Sequence, residues 1–284
     1  MEAIVNAETT IAGRVTLETA REAVSELTPK LTKLLRSIPD PAARAVGVWT
    51  AGDVAAHLAH VVGLDLAAAR GPGAETALDA QGIAAPPHIG TLHYMTAALL
   101  DRDPVRDPGV QADRIEDGIA ALLDACDEGD HLVPWLLGLT LPRSAVCSHQ
   151  VYEMLVHGWD VASGSGLTWT IPAGLARLAI EGFVLAAIDG LGASDPRQHE
   201  PTASCDIRLR GGGRFVLALT EAGPAVYPSR DRVDLRMSAD PVAMLLGISG
   251  RGGSRLSRVL SGRIVAWGPH PMRGLRVFDA IKAP

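Results

Sequence analysis

The periodicity of this chain changes once, and that change limits what it can fold into. From about residue 17 to residue 189 the apolar residues recur at three- and four-residue spacing. Beyond Gly190 they alternate, or run in short blocks between Gly, Pro and Asp turns. The first pattern marks helices with one buried face, and the second marks half-buried strands. The expectation is an α+β protein: a helical bundle over residues 1–168, then a small α/β domain over 169–284, with the border inside 165–190.

Individual elements follow from their punctuation. Leu17, Ala20, Val24, Leu27, Leu31 and Leu35 make one stripe, which Pro39 and Pro41 end. A second helix opens after "VWTAGD", where Thr50 and Asp53 form a capping-box pattern, and "RGPG" stops it. Further helices are predicted over 93–100, 110–126, 143–163 and 173–189. The 143–163 helix ends at the Gly-rich "SGSG". "CDIRLRG", "RFVLALT", "AVYP", "VDLRMSA" and "GRIVAWG" read as strands, and "ADPVAMLLGIS" and "HPMRGLRVFDAI" as helices.

Of the 284 residues, 47% are hydrophobic and 20% charged, enough for a proper core. The net charge of −6, with no basic run, argues against nucleic acid or an anionic membrane as partner. The opening "MEAIVNAETTIAGRV" lacks the charged and apolar regions of a secretory signal, and no apolar run reaches the ~20 residues of a membrane span. Cys126, Cys147 and Cys205 are odd in number and far apart in sequence. They read as core residues in a reducing cytoplasm rather than a disulfide framework or metal knuckle.

The most informative stretch is "SHQVYEMLVHGWDVA", residues 148–162, where His149, Glu153 and His157 stand four apart along an otherwise apolar helix. Residues four apart share a helix face, so Glu153 and His157 can reach one ion together. A buried carboxylate needs such a partner, because an isolated buried charge is costly. The second helix carries His57 and His60 in "DVAAHLAH". Packed alongside, it can complete a two-His, one-carboxylate set with an open position, the pattern of a catalytic metal site. Periodicity alone does not choose among His57, His60 and His149, and ordinary hydrogen bonding of these histidines is the competing reading.

Two motifs carry a resemblance. "VWTAGDVAAHLAHVV" is similar to the N-terminal signature of the mycothiol-dependent maleylpyruvate isomerase family, a branch of the DinB-like metal-binding four-helix bundles. That signature is Trp, Ser or Thr, an acidic residue, small residues, then His-Leu. "YEMLVHGWDVA" resembles the second signature, in which Glu, His and Asp follow in order. The C-terminal part is similar to the sterol-carrier-like α/β domain of these proteins. The resemblance implies a divalent metal, zinc being the natural choice, on His57, Glu153 and His157. It leaves His60 and His149 as core or supporting residues.

It further implies mycothiol as co-substrate and an actinobacterial, cytoplasmic setting. Asp160 is placed to hold a ring N–H of a ligand, and Arg251 and Arg263 to bind a carboxylate or the hydroxyls of the thiol. The partners are then a small thiol and an electrophile, in a monomer or homodimer. The chain departs from shorter family members over residues 70–107 and 129–146, which are expected to line the pocket and alter the substrate. The leading expectation is therefore thiol S-transfer, with cis–trans isomerisation next. A non-enzymatic small-molecule binder and a metal hydrolase stand as rivals.

Overall fold

The computed structural model describes residues 15–191, 200–228, 230–254, 259 and 261–280. The opening stretch read for a secretory signal lies outside these residues except for Val15, as does Ile281 at the end of the last predicted helix.

The first stripe becomes α1 (Leu17–Arg36), whose Thr16 cap accepts a hydrogen bond from the Thr19 N–H. The Thr50–Asp53 pattern forms a complete capping box at the start of α2 (Ala51–Ala69): the Asp53 N–H donates to Thr50 Oγ1, and the Thr50 N–H to Asp53 Oδ2. Asp107 caps α5 (Pro108–Ala125), whose first residue is a proline that has no N–H to leave unpaired. The central helix α6 (Arg143–Ser165) is buried on nearly every side and stops at Gly166, which adopts the left-handed conformation at φ 67°. Helices α1, α2, α5 and α6 pack as a four-helix bundle in which α1 and α2 each touch both α5 and α6.

Two hairpins and two helices decorate this bundle. A short hairpin, β1 (Arg44–Val46) with β2 (Trp49–Thr50), leads into α2. The segment after α2 holds α3 (Ala74–Asp79) and α4 (Leu92–Arg102). A second hairpin, β3 (Leu132–Pro134) with β4 (Thr140–Pro142), precedes α6. Between its strands Leu137 takes a positive φ of 61°, unusual for a residue with a Cβ. Neither hairpin, nor α3, shows in the periodicity: strands of two or three residues are too short to establish a repeat.

The predicted 173–189 helix forms as α7 (Ala173–Ala179) and α8 (Leu185–Leu191), joined by a π-helical turn over Ile180–Val184. The predicted strands then assemble as β5 (Ala203–Leu209), β6 (Arg214–Thr220), β7 (Gly223–Tyr227), β8 (Leu235–Ala239) and β9 (Ile264–Trp267). Their order across the sheet is β7-β6-β5-β8-β9, with β5 and β8 parallel and the other pairs antiparallel. Helix α9 (Pro241–Ile248), capped by Asp240, follows β8, and α10 (Pro271–Ala280) packs on β5. The architecture is the expected α+β one. The main hydrophobic core runs from Val24 in the bundle to Ile207 and Leu245 beside the sheet, and Val216, Ala218, Ala225, Tyr227 and Val233 form a second, smaller cluster. Among the described residues, no helix is long and apolar enough to cross a membrane.

All three cysteines are buried free thiols. The fold nevertheless brings Cys126 Sγ within 3.6 Å of Cys147 Sγ, a proximity that their separation in sequence conceals.

One close approach fixes α6. The Trp169 indole lies across Gly158 and donates from Nε1 to the Leu155 carbonyl at 3.1 Å. A Cβ at Gly158 would meet Trp169 Cε2 at 2.5 Å. The indole is too rigid to yield by bending, so Gly158→Ala is expected to destabilise the fold by about 1–3 kcal/mol, as overpacking does. A thermal melt checks this: an unchanged midpoint would show that the indole is not confined there.

Candidate metal centre

His57 projects from α2, and Glu153 and His157 project one turn apart from α6. The packing of these helices brings the three side chains to one point. Glu153 Oε2 lies 3.2 Å from His57 Nε2 and 3.3 Å from His157 Nε2. One ligand atom from each of the three falls within 4.8 Å of the others. The His57 and His157 rings meet edge to face, and Trp49, just before the α2 cap, packs its ring 5.1 Å from that of His57.

A second ring of contacts holds this trio. His157 Nδ1 lies 2.9 Å from Asp160 Oδ2. Asp160 in turn receives two hydrogen bonds from the Arg251 guanidinium, from Nε at 3.2 Å and Nη2 at 2.9 Å. On the other side His149 Nε2 lies 3.2 Å from Glu153 Oε1, and its Nδ1 lies 2.7 Å from Asp65 Oδ2. Asp65 also accepts from Gln150 Nε2 at 2.7 Å and Trp135 Nε1 at 2.8 Å, so a fully buried carboxylate is met on both oxygens. The buried chain Asp65–His149–Glu153 fixes which way the Glu153 carboxylate turns: Oε1 toward His149, Oε2 toward the two facing imidazoles.

The charges follow from these contacts. Burial alone would raise the Glu153 carboxyl, but hydrogen bonds from His149, His157 and His57 hold it well below the usual carboxylate range. Burial would lower His157, yet Asp160 and Glu153 push it up to about 9. Burial would also lower His149, and Asp65 followed by Glu153 raises it to about 10. His57 goes the other way: its desolvation, helped by the positive neighbours His157 and His149, outweighs Glu153 and keeps it neutral. Asp160 stays ionised because His157 and Arg251 outweigh its burial.

The trio opens on a cavity of about 640 Å³ whose wall includes His57, Glu153, His157 and Arg251. Residues 70–107 and 129–146 both line it, Leu92 and Met95 from the first segment, Trp135 and Leu139 from the second. Of the residues singled out from sequence, His57, Glu153, His157, Asp160, Arg251 and His149 come together. His60 does not join them: its closest carboxylate is Asp103 at 3.6 Å, and its buried Nε2 has no hydrogen-bond partner among the described residues. Arg263 stands apart as well, exposed in the turn before β9 and absent from the cavity wall. It falls there because β9 is an edge strand, exposed from Val265 to Trp267.

Sequence reasoning missed Asp65, Gln150 and Trp135. One signal was available for Asp65: an acidic residue in the apolar run "VVGLDLAAA", eight positions after His57 and so two turns along the same face.

These contacts give the metal-free protein a distinctive pH dependence. His149 and His157 hold their protons to about pH 10 and 9 in the folded chain, against ~6.5 when unfolded. Their stabilisation is complete below about pH 6.5 and drains away as pH rises through the folded values. Each retained proton then costs about 1.4 kcal/mol per pH unit within that window. The melting temperature of metal-free protein is expected to fall from pH 7 to 10, and His149→Gln should flatten the slope. A midpoint that holds or climbs over this range would contradict the assignment.

A family model described as the mycothiol maleylpyruvate isomerase N-terminal domain matches residues 20–162. No curated protein sequence matches the chain. Two solved structures are similar over most of their length. One is of a mycothiol-dependent maleylpyruvate isomerase in a histidine-to-alanine variant: 16% identity, 93% of this chain and 99% of that chain covered, TM-score 0.52. The other is of the mycothiol-dependent maleylpyruvate isomerase, with the same identity and coverage and a TM-score of 0.50. At that identity the likeness shows a shared fold. The family match takes in half of the chain and every residue of the His57–Glu153–His157 trio, and the chain belongs to the mycothiol maleylpyruvate isomerase N-terminal domain family.

Proposed function

We propose that this chain is a metal-dependent enzyme that activates mycothiol and transfers its sulfur to a small electrophile. The convergence of His57, Glu153 and His157 at the wall of a cavity supports this reading. Two imidazoles and one carboxylate make a three-ligand set with room for a further ligand, the arrangement of catalytic zinc. The donor chemistry fits a cation. His157 keeps its Nδ1–H on Asp160 and, without metal, donates its Nε2–H to the anionic Glu153 oxygen; a bound cation would displace that Nε2 proton and take the lone pair in its place. His57, kept neutral, turns Nε2 to that same oxygen. An ion shared by the three satisfies all of them at once.

When bound, such an ion supplies acidity: a thiol with an ordinary pKa of ~8.5 gives up its proton at neutral pH beside a divalent cation. The remaining work falls to the chain. Asp160 holds the His157 ring, and Asp65 through His149 holds the Glu153 carboxylate, the kind of support that keeps ligands aimed. Trp135, Leu139 and Phe183 keep water from a thiolate in the cavity. Arg251, on the same wall, is placed to meet the polar part of the thiol.

A thiolate added to an activated double bond has two fates. It remains, giving a thioether, or it departs after the bond has rotated, giving the other geometric isomer. The long segments that carry α4 and the β3–β4 hairpin into the cavity wall favour the first. Both similar structures are of a maleylpyruvate isomerase, which favours the second, the alternative reading.

Metal analysis of the purified protein tests the proposal. About one equivalent of zinc is expected, lost in His157→Ala together with thiol-dependent turnover. Asp160→Asn should keep the fold and weaken zinc binding by about 10- to 100-fold. A metal-free protein that binds ligand equally well with and without His157 would be a binding protein instead. Turnover that proceeds with no thiol present would point to a hydrolase.

A further inference from the structure

The chemistry of the cavity wall says what kind of electrophile fits. Away from the trio the wall is built from Leu64, Leu92, Trp135, Leu139, Phe183 and Ile188, contributed by α2, α4, the β3–β4 hairpin and the π-turn with α8. Trp135 and Phe183 stack edge to face with centroids 5.5 Å apart, and Tyr152 lies 5.5 Å from Phe183. Both Trp135 and Phe183 pack on the His149 ring, at 5.0 and 4.3 Å, and His149 touches Glu153. An aromatic surface therefore begins one side chain away from the trio.

The polar groups on this wall near the trio are already engaged, while His93 lines it as an exposed residue stacked on Tyr94. Arg251 is the one arginine or lysine among the described residues lining the cavity, and it makes a two-point contact with Asp160. His149 is held between Asp65 and Glu153, and the Trp135 N–H is directed at Asp65. With the ion and the trio occupied by the thiolate and His149 held by two carboxylates, a dicarboxylate entering this space would shed its water with one already paired guanidinium and the exposed His93 to meet it, and incompletely paired buried charge is strongly disfavoured. An uncharged molecule with an aromatic or branched hydrocarbon group would bury apolar surface against a wall of the same character.

We propose that the electrophile occupying this cavity is an uncharged activated alkene bearing an aromatic or bulky hydrocarbon group, and not a dicarboxylate. This rests on the reading above that the chain activates a thiol. In the reaction the thiol sulfur forms a bond to the β-carbon of an enone. The alkene π pair moves through the conjugated system onto the carbonyl oxygen. The proton lost by the thiol is balanced by one taken up at the α-carbon, so that a saturated thioether ketone results without oxidant or leaving group. Reversal of the addition after rotation gives cis–trans isomerisation of the same class of alkene.

The test uses full-length, zinc-loaded protein with mycothiol and two probes, 4-phenyl-3-buten-2-one and maleylpyruvate. Loss of the enone absorbance, or its cis–trans conversion, is expected with kcat/KM at least tenfold above that for maleylpyruvate. The reverse preference overturns the inference and leaves the thiol chemistry standing. Calorimetry with the unreactive 4-phenyl-2-butanone reads the cavity without the thiol. Binding to the wild-type chain, weakened at least tenfold by Ala187→Trp or Leu92→Gln at unchanged zinc content, supports an apolar occupant even if neither alkene reacts. That last combination would sink the thiol reading alone. Absence of ketone binding to the wild-type chain would overturn the apolar assignment whatever the variants do.

Discussion

A single buried carboxylate organises the centre of this molecule. Glu153 sits on a helix that is enclosed on nearly every side, where an unaccompanied negative charge could not persist. Three imidazoles surround it, two facing one oxygen and the third holding the other. Satisfying that charge dictates where α2 must lie, since His57 reaches Glu153 only if the two helices are neighbours. The stripes on α1, α2 and α5 would permit several bundle arrangements, and the need to surround Glu153 selects among them. The carboxylate accordingly acts in fold specification and at the candidate metal centre at once.

How much of this was legible in the sequence depends on length scale. The α1, α2, α5 and α6 helices were readable because each repeats its apolar spacing over several turns, and the Thr50–Asp53 box was readable because it is local. The Glu153–His157 pair was visible for the same reason: a four-residue spacing on a helix defines a shared face. His57 against His60 was not decidable that way. They stand three positions apart on the same helix, and only the packing angle turns one toward Glu153 and the other toward Asp103. The family signature chose between them where spacing left them equal. Arg251 and Arg263 looked equivalent in sequence, each in a glycine-containing turn. Tertiary placement separates them, one against Asp160 and the other on the rim of an edge strand. The β1–β2 and β3–β4 hairpins escaped notice because two or three residues carry no period.

The cavity owes its character to segments that look least regular in sequence. The stretch rich in Pro, Ala and Gly after α2 becomes α3 and α4, and the "LVPWLLGLTLP" stretch becomes a hairpin with Leu137 in a left-handed conformation. The π-turn between α7 and α8 advances Phe183 and Val184 to the same space. Such turns are uncommon in helices and are frequent beside functional sites. The bundle thus supplies the candidate ligating groups, while irregular backbone around it sets the shape and polarity of what can approach. Substrate range can then change without disturbing the helices that hold Glu153.

Asp160 belongs to the bundle, yet two of its three described side-chain contacts come from a guanidinium that the chain makes some ninety residues later, after the parallel strand pair. The helices therefore do not own their innermost imidazole outright. A fragment cut after α6 would keep all three candidate ligands in order and still differ from the same helices in the intact chain. Its aspartate would be released from the arginine, and the histidine ring it steadies would gain freedom to swing. Swapping the C-terminal half between relatives would accordingly retune the buried centre from a distance, with no substitution inside the bundle at all.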